Sequence, residues 1–289
     1  MIETRQLKEN EWRQNNCMVC PRNCAVDRIH KYGYCNAPWD AVIHGSMVHM
    51  GEEPIISGGS GSGTVFFVGC NLGCVFCQNH EISQNCDGTV LTTQRLAKMF
   101  MDLEKEGVHN INLVTPSHFV PPIAEAIKLA KEKGINIPFI YNSSGYDALP
   151  SLEIMDGLID IYIPDLKYAD DALGLRYSDV PDYFTVAQKA LIEMYRQVGD
   201  PVIKHGIMQK GVLIRHLVMP GLHKDSIKVL DWIKANLPSA VINLMADYKP
   251  AYRTDEYKEI NRQLAASEYQ LVSSYFSKLG LQDCSAYLY

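Results

Sequence analysis

From Thr64 onward the apolar positions fall into two alternating patterns. Short β-branched runs occur at Thr64–Val68, Asn110–Val114, Pro138–Tyr141, Ile159–Ile163, Val212–Val218 and Ala240–Met245. They are short and almost continuously apolar, as strands buried on both faces are. Between them apolar residues recur at helical spacing: Leu96, Met99, Phe100 and Leu103, then Ile123, Ala126, Ile127 and Ala130, then Ile227, Leu230 and Ile233. Gly107 and Gly134 follow the first two sets as helix stops. The longest insert, Tyr168–Gly211, carries a predicted helix near Pro181–Val198. The tail, Thr254–Leu279, reads as one more helix, with Ile260, Leu264, Leu271 and Val272 on it. Six β/α units predict a parallel sheet with right-handed crossovers, short of the eight of a closed barrel. The expected fold is therefore α/β, a partial (β/α)6 TIM-like barrel with a small N-terminal Cys-rich metal-binding segment. That segment and its linker take residues 1–60, the barrel 61–253 and a C-terminal helical extension 254–289.

Composition narrows the class. With 289 residues, 47% of them hydrophobic and 21% charged, the chain can bury a large core, which excludes wholesale disorder, collagen and coiled coil. A net charge of −6 gives no support to binding nucleic acid or a membrane surface, and no apolar run approaches a membrane span. Met1–Asn16 is polar and charged, so it does not read as a signal peptide. Nine cysteines without a secretory signal then point to a cytoplasmic metal role rather than to disulfides. The glycine-rich Ser57–Gly63 lacks the Lys-Ser/Thr ending of a phosphate loop and leads into a strand, so it reads as a connector.

The cysteines are grouped. Cys70, Cys74 and Cys77 form C-x3-C-x2-C directly after the first predicted strand. Three thiolates can hold three irons of a [4Fe–4S] cluster and leave the fourth open to a ligand. The alternatives are a zinc site or buried free thiols. In parallel sheets, ligands collect at the C-terminal ends of the strands, which is where this loop lies. Cys17, Cys20, Cys24 and Cys35 form a second group, C-x2-C-x3-C-x10-C, suited to zinc or to a second iron–sulfur cluster. The two readings stand level: a small Cys-rich segment needs a metal to fold, which speaks for zinc, and the redox chemistry next door speaks for a cluster that relays electrons. Cys86 and Cys284 read as free thiols, and His30, His44 and His49 show no metal spacing.

The three-cysteine motif, the aromatic Phe76 before its last cysteine and the six β/α units resemble the radical S-adenosylmethionine (SAM) superfamily. The resemblance implies that SAM chelates the open iron, that an electron from the cluster cleaves the sulfonium, and that the resulting 5′-deoxyadenosyl radical abstracts a hydrogen atom. Cys20-Pro-Arg-Asn-Cys24, Gly63-Thr-Val-Phe-Phe67, Ile82-Ser83, Arg215-His-Leu-Val-Met-Pro-Gly221 and Asn243-Leu-Met245 look like the group related to pyruvate formate-lyase activating enzyme. This narrower likeness runs from about Cys17 to Arg253. It implies an electron donor such as flavodoxin or ferredoxin and, for the best-known members, a glycyl-radical enzyme as partner.

The same resemblance suggests SAM contacts at the strand ends. After the second strand the family's Gly-Gly-Glu is absent, and Thr115 or Ser117 stands in its place, unless Ser117 caps a helix. Asn142 and Ser143 end the third strand as SAM contacts or in a turn. Asp165 and Lys167 end the fourth on one face, in an Asp-Leu-Lys that resembles that of glycyl-radical activating enzymes, as SAM or substrate contacts or as an ion pair. On the fifth, the Arg215 guanidinium suits the SAM carboxylate, the alternative being a structural salt bridge. His216 faces the other way and reads as a packed histidine, and His80 as a helix start. The family's adenosine-binding histidine after the sixth strand is missing; Asp247 or Tyr248 takes part of its work. The functional expectation is hydrogen abstraction, on a glycyl-radical enzyme or else on a small molecule or another peptide. A metal-binding RNA module is opposed by the acidic charge and by the few aromatics near the N-terminal cysteines, Tyr32, Tyr34 and Trp39.

Overall fold

The structure, a computed structural model, describes residues 16–287. The polar Met1–Asn16 stretch thus lies, except for Asn16, outside the described residues. Six strands run parallel in the order of the chain: β2 (Ser62–Phe67), β4 (Ile111–Val114), β5 (Phe139–Ser143), β6 (Ile161–Pro164), β8 (Ile207–Leu217) and β9 (Val241–Met245). These are the six predicted strands, displaced by a few residues. The largest displacement is at β8, which starts at Ile207 because its first half pairs antiparallel with a short β7 (Val202–Lys204). The joining His205 and Gly206 have φ of +52° and +75°, the left-handed pair that a two-residue hairpin needs.

The sheet does not close. Its path ends at β10 (Gln282–Asp283) beside β9 and, at the other edge, at β1 (Val42–His49) and β3 (Thr89–Val90), with β1 antiparallel to β2. This is the expected α/β partial barrel.

Helices cover the outside. α3 (Thr93–Lys105) buries Leu96, Phe100 and Leu103, and its N-terminus is capped by the Thr92 hydroxyl, which accepts from the Arg95 amide at 3.3 Å. α4 (Val120–Glu132) buries Ile123, Ala126, Ile127 and Ala130. α7 (Tyr183–Val198) and α8 (His223–Asn236) follow as predicted, with α5 (Leu149–Met155) and α6 (Asp171–Ser178) between the later strands. The tail departs from its expectation of one helix over Thr254–Leu279. Thr254–Glu256 is a single 3-10 turn, and α9 begins at Ala266 and runs to Leu279. Ile260 is fully buried, but in irregular chain, where its carbonyl accepts from the Tyr248 hydroxyl at 2.8 Å. Its burial comes from packing rather than from a helical stripe. Among the described residues no helix is long and apolar enough to cross a membrane.

Alternation along the strands separates two cores. Phe139, Tyr141, Tyr162, Ile214 and Ile242 face the helices. Ile140, Ile161, Ile163, Leu213 and Val241 face inward. The inward set surrounds α1 (Pro54–Ser57), whose Ile55 and Ile56 are completely buried among them. Burying each of those side chains contributes about 1.5–3 kcal/mol. Asn110, at the foot of β4, donates to the Ile56 carbonyl at 2.8 Å and accepts from the Ser62 hydroxyl at 2.5 Å, tying the plug to two strands. Residues 42–57, in the stretch read from sequence as the N-terminal segment and linker, thus pair with β2 and fill the barrel.

Candidate functional site

Above the plug, at the C-terminal ends of the parallel strands, lies a cavity of about 490 Å³. That is within the range of small-molecule sites. The loop after β2 forms one wall, with Cys70, Cys74 and Cys77 lining the cavity. Each sulfur has at least one hydrogen-bond partner in place. The Leu72 amide donates to Cys70 Sγ at 3.4 Å, while the hydroxyls of Ser178 and Ser83 lie 3.0 Å and 3.3 Å from Cys74 Sγ and Cys77 Sγ. Burial pushes the Cys74 thiol up to about 11 despite the neighbouring Lys167 ammonium, and pushes Cys70 up as well. Such thiols ionise readily only against a metal.

Among the described residues no three His, Cys, Asp or Glu side chains close to the spacing of one bound ion. The fit to a cluster rests on the donors instead. Three sulfurs, each held by a donor group and set beside a buried ammonium, suit a three-thiolate [4Fe–4S] ligand set.

Most of the suggested SAM contacts meet here. Thr115, Asn142, Ser143, Asp165, Lys167 and Arg215 line the cavity. Thr115 has φ +60°, an outlier for a β-branched residue, and its amide donates to the Asn142 carbonyl at 2.9 Å. Such strain marks a backbone fixed by its surroundings. The Ser143 hydroxyl is committed to Asp147 at 2.6 Å. Lys167 Nζ and Asp165 Oδ2 pair at 2.5 Å, so these two residues make both the ion pair and the cavity wall. Ser117 is different: it is buried off the cavity, near Tyr141 and Asp147. It is not the helix cap either, since α4 starts at Val120 after Phe119. Asp247 and Tyr248 line the cavity, as does Ser144, whose buried hydroxyl has no partner. The run of polar residues at the end of β5 was the available signal for Ser144.

Arg215 differs most from its expected setting. Its Nε and Nη2 hold Glu53 at 2.7 Å and 2.6 Å, and Nη2 also meets Glu52 at 2.5 Å. Glu53 further accepts from the Asn243 amide at 2.7 Å. Burial alone would raise the Glu53 carboxyl; Arg215 and Asn243 outweigh it and hold the group below its usual range. Only Nη1 remains, 3.5 Å from Asn142 Oδ1. Glu52 and His49 line the cavity, 3.3 Å apart, an ion-pair distance without hydrogen-bond geometry. His216 is a packed histidine: its Nδ1 lies 2.6 Å from the Leu166 carbonyl, and burial lowers its pKa to about 4. His80 opens α2 (His80–Gln84) and stacks on Tyr252.

The N-terminal cysteines gather beside the same loop. Cys17, Cys20 and Cys35 are buried, and Cys20 lies close enough to Cys17, Cys24 and Cys35 for their charges to act on it. The Tyr34 amide donates to Cys24 Sγ at 3.4 Å. Gly69, with φ +77°, brings the chain so near this segment that a Cβ there would lie 2.3 Å from the Cys35 carbonyl oxygen. Arg22 stacks over Tyr34 and donates to the Asn71 carbonyl at 2.8 Å, inside the loop of Cys70, Cys74 and Cys77. Cys86 and Cys284 are free thiols.

Residues 64–233 match the Radical SAM superfamily. Over 262 residues the chain is 32% identical to the uncharacterized protein MJ0674 of Methanocaldococcus jannaschii, a match covering 88% of this chain and 72% of that protein. Among solved structures, SuiB of Streptococcus suis bound to precursor peptide SuiA superposes with a TM-score of 0.50 at 14% identity, over 74% of this chain and 45% of that one. Methylornithine synthase (PylB) also reaches 0.50, at 16% identity, over 72% of this chain and 59% of that one. At such identities the likeness is one of fold.

Proposed function

The chain belongs to the radical SAM superfamily, and we propose that Cys70, Cys74 and Cys77 hold its [4Fe–4S] cluster and that the adjoining cavity takes SAM. The observation that carries this is the placement of three hydrogen-bonded thiols at the rim of the cavity, at the C-terminal ends of the parallel strands. When bound, the cluster and SAM supply one-electron cleavage of the sulfonium and, with it, hydrogen-atom abstraction. The chain's own residues bind, orient and shield. Lys167 sets a buried positive charge beside Cys74 and offsets the negative charge of the thiolates. Thr115, Asn142 and the unpartnered Ser144 hydroxyl present polar atoms to the amino-acid end of SAM. Arg215 offers a carboxylate Nη1 alone and holds Asn142 in position with it. Phe76 and Tyr248, 6.1 Å apart, wall the cavity with apolar surface and exclude water.

The favoured substrate is the backbone of a glycyl-radical enzyme. Its support is the sequence likeness carried by Asp165-Leu-Lys167 and Arg215-His216. Residues 61–253 carry the catalysis, with β1 and α1 lent to the barrel; Cys17, Cys20, Cys24 and Cys35 hold a second metal, zinc or a second cluster, and residues 254–289 form an extension. The enzyme draws electrons from flavodoxin or ferredoxin and works in the cytoplasm, where thiols stay reduced. The test is anaerobic incubation with SAM and reductant, with either a candidate glycyl-radical protein or a metabolite extract. A glycyl radical by electron paramagnetic resonance, with 5′-deoxyadenosine in proportion, supports the favoured substrate. 5′-Deoxyadenosine rising only with the extract points to a small molecule, and none under any condition overturns the reading.

A further inference from the structure

One buried charge near the second cysteine group has no counter-charge. Arg28 is 2% exposed. Its Nε donates to the Ala37 carbonyl at 3.2 Å, Nη1 to the His118 carbonyl at 2.5 Å, and Nη2 to the Pro38 carbonyl. These oxygens satisfy its hydrogens but carry no net charge, and among the described residues no carboxylate pairs with it. The neighbouring Asp27 instead holds His30. An ion left uncompensated in the interior is strongly unfavourable. The guanidinium also lies over the Phe119 and Trp39 rings, 5.4 Å and 6.0 Å from their centroids, which attract a cation but carry no net charge. The groups beside it that can carry a full negative charge are thiols: Cys17 Sγ lies 3.9 Å from Nη1, and the guanidinium charge acts on Cys35 and Cys86.

We propose that Arg28 is the counter-cation of a tetrathiolate metal centre formed by Cys17, Cys20, Cys24 and Cys35, and that it couples this centre to the root of the Cys70 loop. The inference rests on the reading that these four cysteines hold a metal. Four thiolates carry four negative charges; a zinc ion or an oxidised [4Fe–4S] core each returns two positive ones. Either centre is a buried dianion and calls for a cation at Arg28's position. The coupling is drawn in contacts. Arg28 holds the His118 carbonyl, and the His118 ring reaches the Val68 carbonyl through Nε2 at 2.8 Å. Val68 leads through Gly69 to Cys70, and the Cys35 carbonyl occupies the space a Gly69 side chain would fill.

The test uses the full chain, purified without oxygen, with Cys70, Cys74 and Cys77 all changed to Ala, so that remaining metal belongs to the second centre. About one zinc or about four irons per chain identifies it. No metal in a natively folded variant overturns the four-cysteine reading. If metal is present, Arg28→Met is expected to speed its release to a chelator at least tenfold; release at the unaltered rate overturns the Arg28 assignment and leaves the metal reading standing. Should Arg28→Met not fold, Arg28→Lys decides: it keeps the charge and is expected to release metal within about threefold of the unaltered rate, and a tenfold acceleration overturns the counter-ion role. Cys86→Ser is expected to change nothing; acceleration to match Arg28→Met would place Cys86 among the metal's ligands and overturn the four-cysteine centre. The coupling is read with the cluster cysteines intact. Hydrogen exchange at the Val68 and Gly69 amides is expected to rise at least tenfold in Arg28→Met, and unchanged exchange overturns the coupling.

Discussion

Replacing Arg215 with Met separates two roles for this residue. The Arg215 side chain is 16% exposed, and those of Glu52 and Glu53 are 9% and 4% exposed. Removing the guanidinium leaves two buried carboxylates, and Glu53 keeps Asn243 and its own backbone amide but no counter-charge. Breaking a buried pair by deleting one partner costs about 3–5 kcal/mol, because the other charge stays behind without compensation. At roughly 2–4 °C per kcal/mol for a chain this large, the melting temperature should fall by about 6–20 °C. The assay is thermal unfolding without oxygen, with iron content checked in each sample. Arg215→Met combined with Glu53→Leu should recover most of the loss, since both members of the main pair are then apolar. If Arg215→Met melts within about 1 °C of the unaltered protein and loses only SAM affinity, the residue is a ligand anchor and the network account is wrong.

Three further outcomes are expected. Ile56→Ala empties the plug and should cost about 2–5 kcal/mol by denaturant unfolding; a cost below ~1 kcal/mol would mean α1 does not fill the barrel. Thr115→Gly relieves a left-handed φ and should raise stability by about 0.5–1 kcal/mol, yet weaken SAM binding by roughly two- to tenfold through the lost hydroxyl. Unchanged SAM affinity would remove Thr115 from the site. His216, lowered to about 4 by burial, should stay neutral at pH 5 in its NMR titration. A depressed histidine stabilises the fold above its ordinary value near 6.5, and that stability is lost as pH falls toward 4, by up to about 1.4 kcal/mol per pH unit. A protonated ring at pH 6 contradicts the packing described.

The parallel strands were legible because their β-branched runs are buried on both faces, and the place of Cys70, Cys74 and Cys77 at the cavity because their loop directly follows one of those strands. β1 was not legible. Only Val42 and Ile43 are well buried along it, so no clean alternation marks Val42–His49 as a strand. The four residues of α1 are too few for any helical period, although Ile55 and Ile56 fill the barrel. Glu52 and Glu53 carry no mark of their role in Gly51-Glu-Glu-Pro54, because nothing local shows that Arg215, 162 residues beyond Glu53, is their partner. Arg28 was hidden for a similar reason. Its partners are backbone carbonyls, one of them 90 residues away, and carbonyls leave no mark in sequence. The tail was misjudged because apolar residues at helical spacing do not tell Ile260 in irregular chain from Val272 on α9.

The central claim is that Cys70, Cys74 and Cys77 hold a SAM-cleaving cluster. The most direct test is 5′-deoxyadenosine formed from SAM under anaerobic reducing conditions, with iron and sulfide per chain measured on the same samples for the unaltered protein and for Cys74→Ala. The account predicts 5′-deoxyadenosine from the unaltered protein. It predicts a loss of about four irons and of all detectable product in the variant, because two thiolates do not hold the cluster. Full iron and full product from Cys74→Ala would contradict it.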